Sequence, residues 1–278
     1  MRLGVLDVGS NTVHLQVVDA HPGARPSPAT NQKVELRLHE YLNISGEITP
    51  EGVELLETAI ADAISHAKEF KTEEILAFAT SAIRDAKNGK EILLEINKKF
   101  DIDLQVLSGD DEARMTFLAV RRWLGWSSGR LLVLDIGGGS LEIASGIDEL
   151  PEQTLSLPLG AARSTREFLG SDPYTSKGIR SLEKHAEDLL KNSIPESLRS
   201  HDANHFVATS KTFRTLARIC AHWYGDNPKF LEKKSLETAV PKLIAMNNKS
   251  RTELPGVSAS RAQQIVAGGI VALAVMER

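Results

Sequence analysis

"LLVLDIGGGSLEIASG", residues 131–146, decides the fold. Two runs of strand-forming apolar residues flank Asp135 and the glycines Gly137, Gly138 and Gly139. A hairpin turn explains the glycines, since glycine reaches φ > 0 without a Cβ penalty. A phosphate cradle explains them as well, because bare backbone lets N–H groups converge on an anion while an aspartate holds a metal beside it. A second copy of the pattern favours the cradle: "GVLDVGSNTV" (4–13) matches "LVLDIGGGSLEI" (132–143) as strand, aspartate, small-residue turn, strand. The repeat predicts a duplicated domain whose two turns form opposite jaws of one cleft.

Working outward, strands are expected at 3–8, 12–19 and "VELRL" (34–38), with "HPGARPSPATN" (21–31) as a Pro-rich loop. A helix follows in "TPEGVELLETAIADAISHAKEF" (49–70): Thr49 suits the N-cap and Pro50 the first turn, and Val53, Leu56, Ile60, Ala63, Ala67 and Phe70 share one face. Strands at 74–80 and 103–108 alternate with helices through 84–100 and up to 124. After the breaker "GWSSGR" (125–130) the order restarts. Strands are expected at 131–136, 140–146 and 153–159, helices at 161–169 and 175–192, and "HFVAT" (205–209) reads as a buried strand. Helices at 212–224, 235–248 and 258–276 finish the chain.

At 278 residues the chain is longer than one core usually organises, so two domains are expected, 1–124 and 125–278. A net charge of −4 argues against a dedicated nucleic-acid or membrane-surface protein. No apolar run reaches the length of a transmembrane helix, and the N-terminus enters a strand without a signal-peptide pattern, so the cytoplasm is the expected location. The one cysteine, Cys220, excludes an intramolecular disulfide or a Cys-based zinc cage and reads as core.

Phosphoryl transfer needs a cation, N–H donors, a basic side chain and a group that orients the nucleophile. Asp7 and Asp135 are placed for a hard divalent cation such as Mg²⁺, reached largely through water, although a lone aspartate at a turn more often caps it. The amides of Gly9, Ser10, Asn11 and Thr12, and of Gly137, Gly138, Gly139 and Ser140, are candidates for phosphate oxygens. "ATSAIRDA" (79–86) presents Arg84 at a strand end, as a phosphate fork or a solvated charge. "SGDDEARMTF" (108–117) opens a helix with Asp110, Asp111 and Glu112, which its dipole favours in any case; a functional reading takes one as a base, and composition does not choose among them. "ATSKTFRTLAR" (208–218) sets Lys211 and Arg214 near a second strand-to-helix turn. His201 and His205 stand four apart, but they precede a strand and lack the glutamate of a zinc-helix motif, so no metal is expected there.

With these residues in view, the chain resembles the exopolyphosphatase/guanosine pentaphosphate phosphatase (Ppx/GppA) family of the actin, Hsp70 and sugar-kinase superfamily. The blocks that carry the resemblance are "LDVGSNTVHL", "ATSAIRDA", "LSGDDEARMTF", "LDIGGGSLEI" and "RAQQIVAGGIVAL", in the family's order. It implies an α/β fold of two ribonuclease-H-like, actin-like ATPase domains, each a mixed sheet flanked by helices, with a phosphate-binding cleft between them. It implies Glu112 as the base, Arg84 as a phosphate ligand, and Asp135, Gly137 and Glu142 around phosphate, metal or water. A homodimer is a further implication.

Two departures refine the expectation. Where many relatives carry a glycine-rich turn, "ATSKTFR" adds Lys211 and Phe213, bulk and charge that suit a polyanion better than a base or ribose. The chain also stops at "AVMER", before a segment that in relatives usually returns to the first domain. The resulting expectation is a Mg²⁺-dependent exopolyphosphatase with Asp7, Asp135 and Glu142 near the metal, and with Lys211, Arg214, Arg163 and Arg166 guiding the chain of inorganic polyphosphate. Its rivals are a pppGpp 5′-phosphohydrolase and a non-enzymatic, nucleotide-switched scaffold.

Overall fold

The structure, a computed structural model, describes residues 1–170, 172–199 and 202–278. The chain divides into two compact units, Met1–Ser108 and Gly109–Arg278.

In the first unit, β1 (Arg2–Val8), β2 (Thr12–Asp19), β3 (Ser27–Glu35), β4 (Glu74–Ala79) and β5 (Leu104–Val106) form one mixed sheet in the order β3-β2-β1-β4-β5. The first three strands run antiparallel, whereas β4 and β5 join in parallel. Period-2 alternation buries Leu6 and Val8 of β1 and Val13, Leu15 and Val17 of β2. Helix α1 (Pro50–Glu69) brings Leu56, Ile60, Ala63 and Ala67 to that core. Thr49 caps α1 by accepting from the Gly52 amide, and Pro50 occupies the first turn as expected. The helix expected through 84–100 is broken into α2 (Ser81–Arg84) and α3 (Gly89–Phe100). β3 is a correction: it takes in residues 27–31, read above as loop, and ends before the 36–38 portion read as strand. Its outer residues are exposed and polar, so no hydrophobic pattern marks it, and Pro28 is tolerated on an edge strand.

The second unit begins with α4 (Gly109–Leu124), placed above with the first domain. Ala113, Phe117 and Val120 of α4 pack on Leu131, Val133 and Ala144, which assigns the helix to the second sheet. That sheet comprises β6 (Leu131–Ile136), β7 (Leu141–Gly146), β8 (Gln153–Leu157) and β9 (His205–Ala208) in the order β8-β7-β6-β9. Its other face carries the larger core. This is supplied by α5 (Ala161–Ser164) and the wider turn Thr165–Leu169, α6 (Ser176–Ser193), α7 (Glu196–Arg199), α8 (Ser210–Tyr224), α9 (Lys233–Ala245), α11 (Ala259–Ala262) and α12 (Gln264–Glu277), with the polar turn α10 (Asn248–Arg251) between α9 and α11. Apolar nearly all round, α12 is buried along most of its length. The expected buried strand at 205–209 is instead an edge strand with Phe206 70% exposed, because β9 has a neighbour on one side only. His201 lies outside the described residues; His205 opens β9 and is exposed.

Candidate functional site

Alternate residues of a strand share a face. Leu131, Val133 and Asp135 of β6 therefore point the same way, and the register sets Asp135 opposite Glu142 of β7, which shares its face with Ala144. This is the face that α4 covers. Gly109, the first residue of α4, allows close approach to β8: a Cβ there would run into the Ser156 hydroxyl. Ser156 Oγ in turn donates to Glu142 Oε1 at 3.0 Å. The same approach brings Glu112 within electrostatic reach of Glu142.

Two carboxylates, Glu112 at a helix start and Asp135 on the neighbouring strand, thus act on Glu142. Glu142 is 6% exposed. Burial pushes its carboxyl up to about 8; the Glu112 and Asp135 charges add to that push, and hydrogen bonds from Ser140 and Ser156 oppose it. Burial also raises Asp135, against a hydrogen bond from Thr209 and the Arg214 charge. The structure separates the first-turn acids that composition left equal. Asp110 accepts from Thr154 Oγ1 at 3.0 Å and Asp111 pairs with Arg114 at 3.2 Å, whereas Glu112 is the one whose charge bears on Glu142.

The two turns are closed alike. Gly9 N donates to Thr12 O and Gly137 N to Ser140 O, each at 2.9 Å. These two candidate amides are spent within the turns, so an anion at either would be met by the amides that follow. Nor does Gly137 need φ > 0: a Cβ there would meet only Ser140 O, at an ordinary 3.5 Å. The close approach lies one element away, at Gly160, whose Cβ would collide with the backbone of Gly138 and Gly139. There the amides of Ala161, Ala162 and Arg163 donate to the carbonyls of Gly137 and Gly138, fixing the turn on α5. In the first unit Ser10 is tied to Ser81 by a buried hydroxyl pair at 2.9 Å.

Arg84 ends α2 with Nη1 donating to Leu107 O at 3.0 Å and Nε facing Asp85 at 3.2 Å, so its guanidinium is held in place. Asp7 is exposed. Desolvation pushes its carboxyl up, against the His14 and Lys33 charges, and water at the exposed group screens that push. Lys211 and Arg214 stand in the first turns of α8, with Arg214 Nε donating to Ser210 O at 3.1 Å. Phe213 does not crowd this turn: the helical period carries it into the core, where it is 2% exposed. Arg166 faces Glu167 at 3.4 Å.

Thr209 and Ser156 escaped the sequence reading. Thr209 left a signal, the triplet Ala-Thr-Ser at 79–81 and again at 208–210. Ser156, one hydroxyl in an edge strand, left none.

The donor set fits a hard divalent cation. It is all oxygen, and two of its carboxylates are driven toward the neutral form by burial, a drive that a bound cation reverses. Among the described residues no three His, Cys, Asp or Glu side chains are arranged to enclose a metal alone, so water would complete the shell, as Mg²⁺ prefers. Among the described residues no helix is long and apolar enough to cross a membrane.

A sequence model of the Ppx/GppA phosphatase family matches residues 16–278. Exopolyphosphatase 1 of Mycobacterium tuberculosis is 49% identical over 280 aligned positions, covering 99% of this chain and 81% of the relative. Among solved structures, the Aquifex aeolicus Ppx/GppA family member superposes with a TM-score of 0.77 at 25% identity, over 100% of this chain and 90% of its own. An exopolyphosphatase from Cytophaga hutchinsonii, at 24% identity, shares the fold with a TM-score of 0.85 over 100% of this chain and 90% of its own.

Proposed function

The chain belongs to the Ppx/GppA phosphatase family, whose members are phosphoanhydride hydrolases, and on that premise we propose that it releases the terminal phosphoryl group of inorganic polyphosphate. The observation that carries this reading is the convergence of Glu112, Asp135 and Glu142 on one face of the second sheet, beside a turn whose backbone is fixed on α5. Near-half identity to a protein named Exopolyphosphatase 1 supports polyphosphate as the substrate. So do Lys211 and Arg214, two cations in the first turns of α8.

In this reading Glu112 orients the attacking water and takes its proton for in-line displacement. Asp135 and Glu142 hold Mg²⁺, which when bound supplies charge neutralisation at the terminal phosphoryl group. The amides of Gly138, Gly139 and Ser140 meet phosphate oxygens. Lys211 and Arg214 bind further along the polyanion. In the first unit Asp7, the 9–12 turn and Arg84 are assigned the same duties of metal and phosphate binding.

Glu112→Gln is the test. It keeps the side chain's size and removes the base, so turnover should fall about 10²-fold or more while polyphosphate binding persists. Near-native turnover in that variant removes Glu112 from the role.

A further inference from the structure

The two units share their turns and differ in one register. From the last residue of β4 and of β9 the chain carries the same triplet, Ala79-Thr80-Ser81 and Ala208-Thr209-Ser210, with both threonines extended, at φ −118° and −102°. Thr80 N donates to Val8 O, one residue past Asp7, whereas Thr209 N donates to Leu134 O, one residue before Asp135. The parallel pairing is therefore offset by two residues between the units. In the second unit that offset lays the Thr209 hydroxyl on the Asp135 carboxylate.

Neighbouring residues hold it there. Ser210 adopts φ 66°, in the left-handed region, which costs a non-glycine residue on the order of 1–2 kcal/mol and persists only where surrounding contacts impose it. One such contact is Thr212 Oγ1 donating to Ile136 O at 3.0 Å. Residues 209–212 thereby grip Leu134 O, the Asp135 carboxylate and Ile136 O in succession.

We propose that Thr209 is the positioning residue of Asp135, its hydroxyl holding one carboxylate oxygen so that the remaining lone pairs face a divalent cation. The assignment rests on the reading of Asp135 as a cation ligand. A hydrogen bond behind a metal ligand typically changes metal affinity or activity by about 10–100-fold, and only the second unit's aspartate receives one from the threonine's offset.

Mn²⁺ titrated into the full chain without substrate, with free Mn²⁺ read by electron paramagnetic resonance, tests this in Thr209→Val, Thr209→Ser and Asp135→Asn. Thr209→Val should weaken Mn²⁺ binding about tenfold or more, Thr209→Ser should stay within a few-fold of native, and Asp135→Asn should weaken it at least as much as Thr209→Val. In turnover assays Thr209→Val should raise the Mg²⁺ concentration needed for half-maximal rate more than it lowers the saturated rate. Native Mn²⁺ affinity in Thr209→Val, with binding lost in Asp135→Asn, overturns the role of Thr209 alone. Equal weakening in Thr209→Val and Thr209→Ser also overturns it, because serine keeps the hydroxyl. Native affinity in Asp135→Asn overturns the ligand reading and the Thr209 assignment together.

Discussion

Burial, the Glu112 charge and the Asp135 charge all push the Glu142 carboxyl in one direction, to about 8 from an ordinary 4.5. The folded, metal-free chain then holds a proton on Glu142 that the unfolded chain gives up near the ordinary value. Its contribution to stability is fully present below about 4.5 and is lost as pH rises toward about 8. Thermal melts of the metal-free protein between those limits should therefore show a decline in midpoint that Glu142→Gln flattens. Parallel pH dependence in the two proteins would place the titrating group elsewhere. Adding Mg²⁺ should restore the native protein at the upper end and do less for the variant. At this scale the sequence is uninformative where a role depends on a neighbour distant in sequence. Nothing in "SGDDEAR" distinguishes its three acids; the Glu112 charge that bears on Glu142 does.

Among the elements, Gly109 marks where α4 meets β8 and Gly160 where the glycine turn meets α5. A methyl at Gly160 would run into the backbone of Gly138 and Gly139, which cannot step aside as a flexible side chain would. Gly160→Ala should cost about 1–3 kcal/mol, the usual range for overpacking, read as a lower urea midpoint. An unchanged midpoint would mean that the turn is not seated on α5. Strong local patterns made α1 and both aspartate hairpins legible: capping residues, 3.6-residue periodicity and alternating apolar strands. β3 and β9 were misjudged for opposite reasons. β3 is an edge strand without apolar alternation, and β9 is an apolar run that lies at an edge. Burial depends on strand order, and strand order is a long-range property.

For the molecule as a whole, the duplicated pattern led to the right architecture, two mixed sheets each with an antiparallel hairpin and a parallel neighbour. The division between units lies at Ser108 and Gly109, where the sequence suggested 124 and 125. An amphipathic helix shows that it has an apolar face, not which sheet receives it, and α4 lies on the second. Family membership thus makes the chain a phosphoanhydride hydrolase, and the choice of substrate is the central claim. Phosphate release by the purified protein with Mg²⁺, measured in parallel on long-chain polyphosphate, tripolyphosphate and pppGpp, tests it most directly. The account predicts the highest kcat/KM on long-chain polyphosphate, and a strong preference for pppGpp would contradict it.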